Sequence, residues 1–199
     1  MPIPTSPVFL DRDGTLIVEK MYLSNPDDVC VENGVVEGLT ILQDYGHPLI
    51  VISNQSGIGQ GKYNAIDAQR VNARLAEILR DHGIGILAWY LCPHAPDALC
   101  ACRKPLPGMA LAASRDLSLD LVGSYVIGDK RSDLELADAI GAEGILVTTG
   151  HGRNAADWAR AQSRTIFESF RRAAEYIAQN DIEASGTCGH SSKDPLGRN

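Results

Sequence analysis

Three short apolar runs in this chain each end in a cluster of polar residues. The runs cover residues 8–10, 48–52 and 124–127, and segments with helical spacing of apolar residues lie between the second and third. Apolar runs of this length, bounded by turn-forming residues, are typical of strands buried in a parallel sheet. Helices between such strands predict crossover connections. We therefore expect an α/β fold with a Rossmann-like parallel sheet and helices on both faces.

The remaining elements continue this alternation. Residues 86–91 and 144–147 predict further strands, and helices are predicted over residues 66–81, 108–117, 132–140 and 167–179. In the helix over 132–140, Ser132 is the expected cap and Gly141 the expected end. From Ala184 onward small and polar residues replace apolar ones. We therefore expect a single domain over residues 1–183 and a flexible tail over residues 184–199.

The composition excludes several classes of protein. A length of 199 residues with 44% hydrophobic residues fits one globular domain with a substantial core. A net charge of −7 does not provide the extended basic face that nucleic-acid binding needs. No window approaches the length of an apolar membrane span, and no signal-peptide pattern opens the chain. We expect a cytoplasmic monomer without nucleic-acid or membrane partners.

Two carboxylates stand one residue apart where the first predicted strand ends. Asp11 and Asp13 follow this strand directly, and Gly14 comes next. Because the chain can turn at Gly14, both carboxylates can converge beyond the carboxyl end of the strand, where open α/β sheets bind ligands. Such a pair can hold Mg²⁺ and can divide the roles of nucleophile and acid. Taken alone, the motif also fits an ordinary Asp–Gly turn with a solvated carboxylate.

A second pattern combines three cysteines and one histidine within eleven positions. These residues are Cys92, His94, Cys100 and Cys102. Thiolates and imidazole are preferred ligands of tetrahedral Zn²⁺, and four protein ligands close its coordination shell, which predicts a structural site. The alternative is a set of free or buried cysteines beside a surface histidine. A zinc ion here would stabilise the loop that directly precedes Arg103-Lys104-Pro105.

The order of the polar clusters resembles the haloacid dehalogenase superfamily of phosphotransferases. The resemblance spans about residues 8–150 and includes Asp-x-Asp-Gly-Thr at 11–15, a serine after the second strand at 53, a lysine at 104, and Gly-Asp-x-x-x-Asp at 128–133. Within this superfamily, the Cys/His cluster just before the lysine motif makes the chain similar to the D-glycero-D-manno-heptose 1,7-bisphosphate phosphatases and to the related histidinol-phosphate phosphatases. The Ser-Asn-Gln-Ser-Gly-Ile stretch at 53–58 fits both groups.

The resemblance implies a role for each motif. Asp11 is the implied nucleophile, which forms an aspartyl-phosphate. Asp13 is the implied acid that protonates the leaving oxygen and later activates water. Ser53 and Lys104 are implied to hold the transferring phosphoryl group. The implied Mg²⁺ ligands are Asp11, the backbone carbonyl of Asp13, and Asp129, with Asp133 behind them or acting through water.

Further residues are implied to contact the substrate together with these groups. They are Arg12, Glu19, Lys20, Met21, Tyr22, Asn54, Gln55, Ser56, Arg103 and Lys130, in addition to Asp11, Asp13, Ser53 and Lys104. Simpler interpretations stay open for some of them. Ser53 and Asn54 are common helix caps, Asp133 fits the first turn of a helix, and Lys130 fits a solvated surface charge. The other histidines, among them His151, receive no assigned role.

The short intervals between the motifs leave no room for an inserted cap domain, so we expect a minimal cap and an open site. The main hypothesis is a Mg²⁺-dependent phosphatase that hydrolyses the 7-phosphate of a heptose 1,7-bisphosphate in nucleotide-activated heptose biosynthesis. The alternatives are hydrolysis of histidinol phosphate or another small phosphomonoester, and a non-catalytic, zinc-stabilised binding module. Removal of a halide fits less well, because that chemistry does not require the acid at Asp13.

Overall fold

A single six-stranded parallel sheet forms the centre of the protein. The structure is a computed structural model that describes residues 6–187, with side chains up to residue 183. The strands lie in the order β3-β2-β1-β4-β5-β6, and all neighbouring pairs are parallel. Their bounds are β1 Val8–Leu10, β2 Leu49–Asn54, β3 Ala88–Cys92, β4 Tyr125–Gly128, β5 Glu143–Val147 and β6 Thr165–Phe167.

Helices connect the strands. They are α1 Val35–Asp44, α2 Ser56–Gly59, α3 Ala65–Asp81, α4 Gly108–Leu117, α5 Arg131–Ile140, α6 Gly152–Ala161 and α7 Phe170–Thr187. A short 3-10 helix, Pro26–Asp28, lies in the loop after β1. The predicted α/β fold with a parallel sheet is confirmed.

Side chains alternate along β1, so this strand contributes to a hydrophobic core on each face of the sheet. Val8 and Leu10 pack with residues of α1, α3 and α7, while Phe9 points to the opposite face and packs with residues of α4 and α5. All three residues are fully buried. Because both faces of the strand are covered, it has the continuous apolar sequence typical of an inner parallel strand.

Several predicted boundaries shift, and five elements were not predicted. Helix α5 begins at Arg131, so the prediction that Ser132 caps it is wrong; the Asp133 carboxylate accepts the backbone N–H of Lys130 instead. The final helix was predicted to start at residue 167, but Phe167 is the last residue of the edge strand β6, and α7 starts at Phe170. The unpredicted elements are α1, α2, α6, β6 and the 3-10 helix Pro26–Asp28.

Helix α1 illustrates why local sequence was insufficient. Its middle contains Gly38, a residue that weakens isolated helices. A Cβ atom at this position would lie 2.6 Å from the Phe170 ring, so the glycine permits close packing of α1 against α7. This requirement comes from tertiary contact, so Gly38 obscures a helix whose buried residues Val35, Leu39 and Leu42 do have helical spacing.

The intervals between the motifs contain only loops, the strands of the central sheet and the helices that connect them, and within residues 6–187 no separate cap domain is inserted. None of the helices described is long and apolar enough to cross a bilayer. The predicted flexible tail begins at Ala184, but the backbone of α7 continues to Thr187. Residues 188–199 of that predicted tail lie outside the described residues.

Candidate active site

The polar clusters meet at the carboxyl edge of the sheet. Asp11 directly follows β1, Asn54 ends β2, and Asp129 directly follows β4. The strand order reverses between β1 and β4, and open α/β sheets bind ligands at such a position. Gly14 lets the first loop approach β4, because a Cβ there would lie 2.2 Å from the Asp129 carboxylate. Gly14 also has a φ of +85°, which favours glycine.

Asp11 is a buried carboxylate beside two ammonium groups. The Nζ atom of Lys104 lies 2.8 Å from its Oδ1, and the Nζ atom of Lys130 lies 3.7 Å from its Oδ2. Burial alone would raise the pKa of Asp11, but the two lysines lower it to about 2. The carboxylate is therefore ionised at neutral pH, as a nucleophile must be.

Lys104 is buried, and its ammonium group contacts three oxygens. It donates to Asp11 Oδ1 and to the Ile52 carbonyl at 2.9 Å, and it pairs with Asp133 Oδ1 at 2.7 Å. Burial would lower the pKa of Lys104, but the two carboxylates raise it, so the side chain stays charged. Lys104 thus brings a fixed positive charge to Asp11, the predicted nucleophile.

Asn54 holds the backbone of Lys104 through two hydrogen bonds. Its Nδ2 donates to the Lys104 carbonyl at 3.1 Å, and its Oδ1 accepts the Lys104 N–H at 3.0 Å. Ser53 and Asn54 both lie in β2, so neither caps a helix. The side chain of Asn54 contributes to the site by locating the lysine.

Two further carboxylates lie next to Asp11. Side-chain oxygens of Asp11, Asp129 and Asp133 lie within 4.8 Å of one another. Burial and the neighbouring Asp11 raise the pKa of Asp129 to about 7. Both oxygens of Asp133 already have partners, in Lys104 and in the N–H of Lys130. Hard carboxylate oxygens that repel one another suit a divalent cation such as Mg²⁺. Asp11 Oδ2 and Asp129 Oδ1 both face the partly exposed ammonium group of Lys130, a positive charge whose place a cation could take.

The ammonium group of Lys130 faces the same oxygens. It lies 3.0 Å from Asp129 Oδ1, 3.2 Å from the Asp13 carbonyl and 3.4 Å from Glu19 Oε2. Burial would lower the pKa of Lys130, but the surrounding carboxylates raise it. A positive charge is therefore favoured at the point where the backbone of Asp13 meets Asp129.

Asp13 is held from two sides. Arg12 donates from Nε at 3.1 Å and from Nη2 at 3.0 Å. Gln55, which directly follows β2, donates to Asp13 Oδ2 at 2.7 Å, and the Ser53 hydroxyl in β2 lies 3.4 Å from the same atom. Arg12 is itself buried and also donates to Asn72 of α3 at 2.7 Å. Asp13 is thus held by the neighbouring Arg12 and by side chains at the end of β2.

The predicted zinc ligands lie together at the end of β3. The sulfurs of Cys92 and Cys102 are 3.2 Å apart, Cys92 and Cys100 are 3.7 Å apart, and His94 Nδ1 lies 3.2 Å from Cys102 Sγ. Three sulfurs and one ring nitrogen at these separations suit a tetrahedral soft-ligand site. The cluster directly precedes Arg103 and Lys104 in the chain.

One cavity of about 320 Å³ collects the residues implied to contact the substrate. Every residue in that set lines it, from Asp11 to Lys130. Further lining residues, which the sequence did not predict, are Leu23, Gly57, Tyr63, Ser132 and His151.

His151 follows β5, and its backbone N–H donates to Asp129 Oδ2 at 2.7 Å. A signal for it was present, because β5 is another apolar run that ends in a polar stretch, Thr148-Thr149-Gly150-His151. Tyr63 has no such signal, because it precedes a helix in a polar loop.

Comparisons with known proteins agree with this geometry. The family described as "HAD-hyrolase-like" matches residues 101–173. Two proteins named D-glycero-beta-D-manno-heptose-1,7-bisphosphate 7-phosphatase are similar in sequence. The protein from Photorhabdus laumondii is 40% identical over 152 residues, covering 72% of this chain and 80% of the relative. The protein from Yersinia pestis is 38% identical over 165 residues, covering 76% and 87%.

A solved structure is similar over almost its whole length. It is the D,D-heptose 1,7-bisphosphate phosphatase from B. bronchiseptica complexed with magnesium and phosphate. The TM-score is 0.82 with 29% identity, and the match covers 88% of this chain and 99% of the other. The chain belongs to the haloacid dehalogenase superfamily, within its family of heptose 1,7-bisphosphate phosphatases.

Proposed function

We propose that this protein is a Mg²⁺-dependent phosphatase that removes the 7-phosphate of D-glycero-D-manno-heptose 1,7-bisphosphate in the biosynthesis of nucleotide-activated heptose. The observation that carries the proposal is the contact between Asp11 and Lys104 at 2.8 Å, with Asp129 in the same carboxylate cluster. A nucleophile, a fixed cation and a metal-binding acid thus share one edge of the sheet. A binding module that performs no chemistry does not require this combination.

The reaction follows from the roles of the side chains. A carboxylate oxygen of Asp11 attacks phosphorus, and the bond between phosphorus and the sugar oxygen breaks while Asp13 gives that oxygen a proton. Asp13 then takes a proton from water, and the water oxygen attacks the phosphorus of the aspartyl-phosphate. Inorganic phosphate leaves, and Asp11 regains its carboxylate. Lys104 and Ser53 face the phosphoryl oxygens and stabilise the charge that develops on them.

Mg²⁺ would be held by Asp11, Asp129 and the backbone carbonyl of Asp13. When bound, it supplies positive charge that offsets the repulsion between the carboxylates and the phosphate. Lys130 contacts an oxygen of each of these three ligands and also Glu19, so with Mg²⁺ present its ammonium group would be left to pair with Glu19 or with the substrate. This supports a substrate-contacting role for Lys130.

The substrate is proposed to be a small sugar with more than one anionic group. Although the chain has a net charge of −7, Arg103, Lys104 and Lys130 all line the cavity. The buried Nη1 of Arg103 has no hydrogen-bond partner among the described residues. An unpaired buried guanidinium nitrogen is costly unless an anion binds to it, so it supports recognition of a phosphate or a negatively polarised oxygen.

A structural Zn²⁺ held by Cys92, His94, Cys100 and Cys102 belongs to the same proposal. The four ligands would fix the loop between β3 and α4, and thereby the positions of Arg103 and Lys104. We propose further that residues 1–183 act as one monomeric domain in the cytoplasm.

A panel of phosphate esters tests the proposed substrate. Phosphate release is measured for both anomers of the heptose bisphosphate, histidinol phosphate and simple hexose phosphates, each with and without Mg²⁺. We expect the highest kcat/KM for one heptose bisphosphate anomer, and activity only with Mg²⁺. Equal rates across the panel would contradict the heptose assignment, and a preference for histidinol phosphate would favour the alternative.

A further inference from the structure

Gln55 is the closest donor to the proposed acid. Its side chain is 3% exposed, and its Nε2 donates both to Asp13 Oδ2 at 2.7 Å and to Ser53 Oγ at 2.8 Å. A primary amide can rotate by half a turn at little intrinsic cost, which exchanges its NH₂ and carbonyl ends. In the reversed orientation the Gln55 oxygen would face the Asp13 carboxylate and repel it. The position of Asp13 therefore depends on which way this amide points.

Tyr63 determines that direction. Its hydroxyl donates to Gln55 Oε1 at 2.6 Å, so the carbonyl end of the amide is held away from Asp13. Burial raises the pKa of Tyr63 to about 12, the cationic Arg12 lowers it in part, and the proton stays on the hydroxyl throughout the neutral range. A protonated phenol can donate to the amide oxygen, whereas a phenolate could not.

Packing against α2 holds the Tyr63 ring in position for this hydrogen bond. Tyr63 lies in the loop between α2 and α3, outside every motif that the sequence predicts. A Cβ atom at Gly57 would lie 2.2 Å from Cε1 of the Tyr63 ring, so the glycine in α2 leaves the space that the ring fills. The hydroxyl is thus held by packing as well as by its hydrogen bond.

We infer that Tyr63 is a positioning residue for the acid step: it orients the Gln55 amide, and Gln55 in turn holds Asp13 where it can protonate the leaving sugar oxygen. This inference rests on the proposed phosphatase function. It assigns Tyr63 an indirect role, because its effect passes through Gln55 and requires no contact with the substrate.

Two esters separate this role from a general structural one. A heptose alkoxide needs a proton in order to leave, whereas p-nitrophenolate leaves without one. The parameter kcat/KM reports on steps up to and including phosphoryl transfer, so slow hydrolysis of the aspartyl-phosphate does not obscure the comparison. Misplacing Asp13 should therefore lower kcat/KM for the heptose ester selectively.

The experiment compares Tyr63→Phe with the wild type on the heptose bisphosphate and on p-nitrophenyl phosphate. We expect kcat/KM to fall about tenfold for the sugar ester, part of the effect of general acid catalysis, and to change less than about twofold for the aryl ester. The matched control is Tyr90→Phe, which removes a hydroxyl that donates to Asp116 on the surface. We expect no change for either ester in this control.

A double-mutant cycle tests the route through Gln55. In a Gln55→Met background, which has no amide to orient, Tyr63→Phe should cause no further loss. A loss of the same size in both backgrounds would mean that Tyr63 contacts the substrate directly, and would overturn the inference. If Gln55→Met does not fold, the comparison of the two esters in Tyr63→Phe and the wild type is by itself the test of the inference.

Failure of the inference about Tyr63 can be distinguished from failure of the proposed phosphatase function. Equal losses for both esters in Tyr63→Phe, or no loss for either, would overturn the inference while the wild-type activity stands. A wild-type protein that releases phosphate from neither ester would overturn the proposed function itself, and the inference with it.

Discussion

At the scale of single residues, the site depends on charges buried in opposite pairs. Asp11 and Lys104 are 4% and 3% exposed, and Asp133 stabilises the lysine from the other side. A buried charge without a partner is strongly destabilising, whereas a paired one is tolerated. The network can therefore lose one carboxylate and still leave Lys104 paired.

Asp11→Asn tests the nucleophile. A neutral amide cannot attack phosphorus as a carboxylate does, so we expect phosphate release from every ester to fall by about 10³-fold or more. Because Lys104 keeps Asp133 as a partner, far-UV circular dichroism and zinc content should match the wild type. Asp157→Asn is the control, because that carboxylate is 98% exposed and pairs with Arg160 on the surface. Turnover retained in Asp11→Asn would eliminate Asp11 as the nucleophile.

At the scale of elements, the loop between β3 and α4 connects two sites. It starts at Cys92, contains the other three predicted zinc ligands, and continues into Arg103 and Lys104. Asn54 at the end of β2 holds Lys104 through its backbone. The position of Lys104 thus depends on Asn54 of β2 and on the Cys/His cluster. Disorder in this loop should therefore displace Lys104 from Asp11, the proposed nucleophile.

Removal of a zinc ligand tests this connection. Cys100→Ser should reduce bound zinc from one equivalent to a small fraction, measured by elemental analysis. We expect the free energy of unfolding to fall by roughly 2–5 kcal/mol, because metal binding is coupled to folding. The kcat/KM should fall as well, because Lys104 loses one of its two supports. Cys30→Ser is the control, since Cys30 is exposed and stands apart from the cluster. A metal-free wild type with normal stability would contradict the zinc proposal.

At the scale of the whole molecule, stability and function make opposite demands on the carboxylate cluster. The pKa of Asp129 rises from 3.8 to about 7 through burial and the charge of Asp11. A carboxyl group with a raised pKa stabilises the folded state while it is protonated. This contribution is complete below about pH 3.8 and is lost as the pH rises through 7. The pKa of Asp11 is lowered to about 2, so its opposite effect is confined to more acidic pH.

The resulting prediction concerns pH and Mg²⁺ together. In Mg²⁺-free buffer, the free energy of unfolding should fall by on the order of 2 kcal/mol between pH 5 and pH 8 because Asp129 must ionise. Asp129→Asn should remove most of this decline and should be the more stable protein at pH 8, although it binds Mg²⁺ weakly and releases little phosphate. Denaturant unfolding at a series of pH values measures both effects.

Addition of Mg²⁺ at pH 8 supplies the second arm of that experiment. It should restore stability to the wild type, because the ion binds the ionised carboxylates of the folded state, and it should leave Asp129→Asn nearly unchanged. An equal pH dependence in the two proteins would show that another group causes the decline.

The alternation of strands and helices could be predicted from the sequence, and so could the motifs that follow the strands. Residues 8–10 became β1, and residues 108–117 became α4, as predicted. These features are local: a fully buried strand needs an apolar run, and a turn beside a ligand needs a glycine such as Gly14. The position of the catalytic edge also followed, because parallel strands bring their carboxyl ends together.

Tertiary structure alone decided how the side chains share their partners. It assigned Asn54 to the backbone of Lys104, Arg12 to Asp13 and Asn72, and Tyr63 to Gln55. Asp11 and Lys104 are 93 residues apart in the chain, yet their charges touch. Such contacts depend on strand order and on the packing of loops across the sheet, and neither is encoded in the periodicity of a single segment. Tyr63 therefore carried no signal that the sequence could offer.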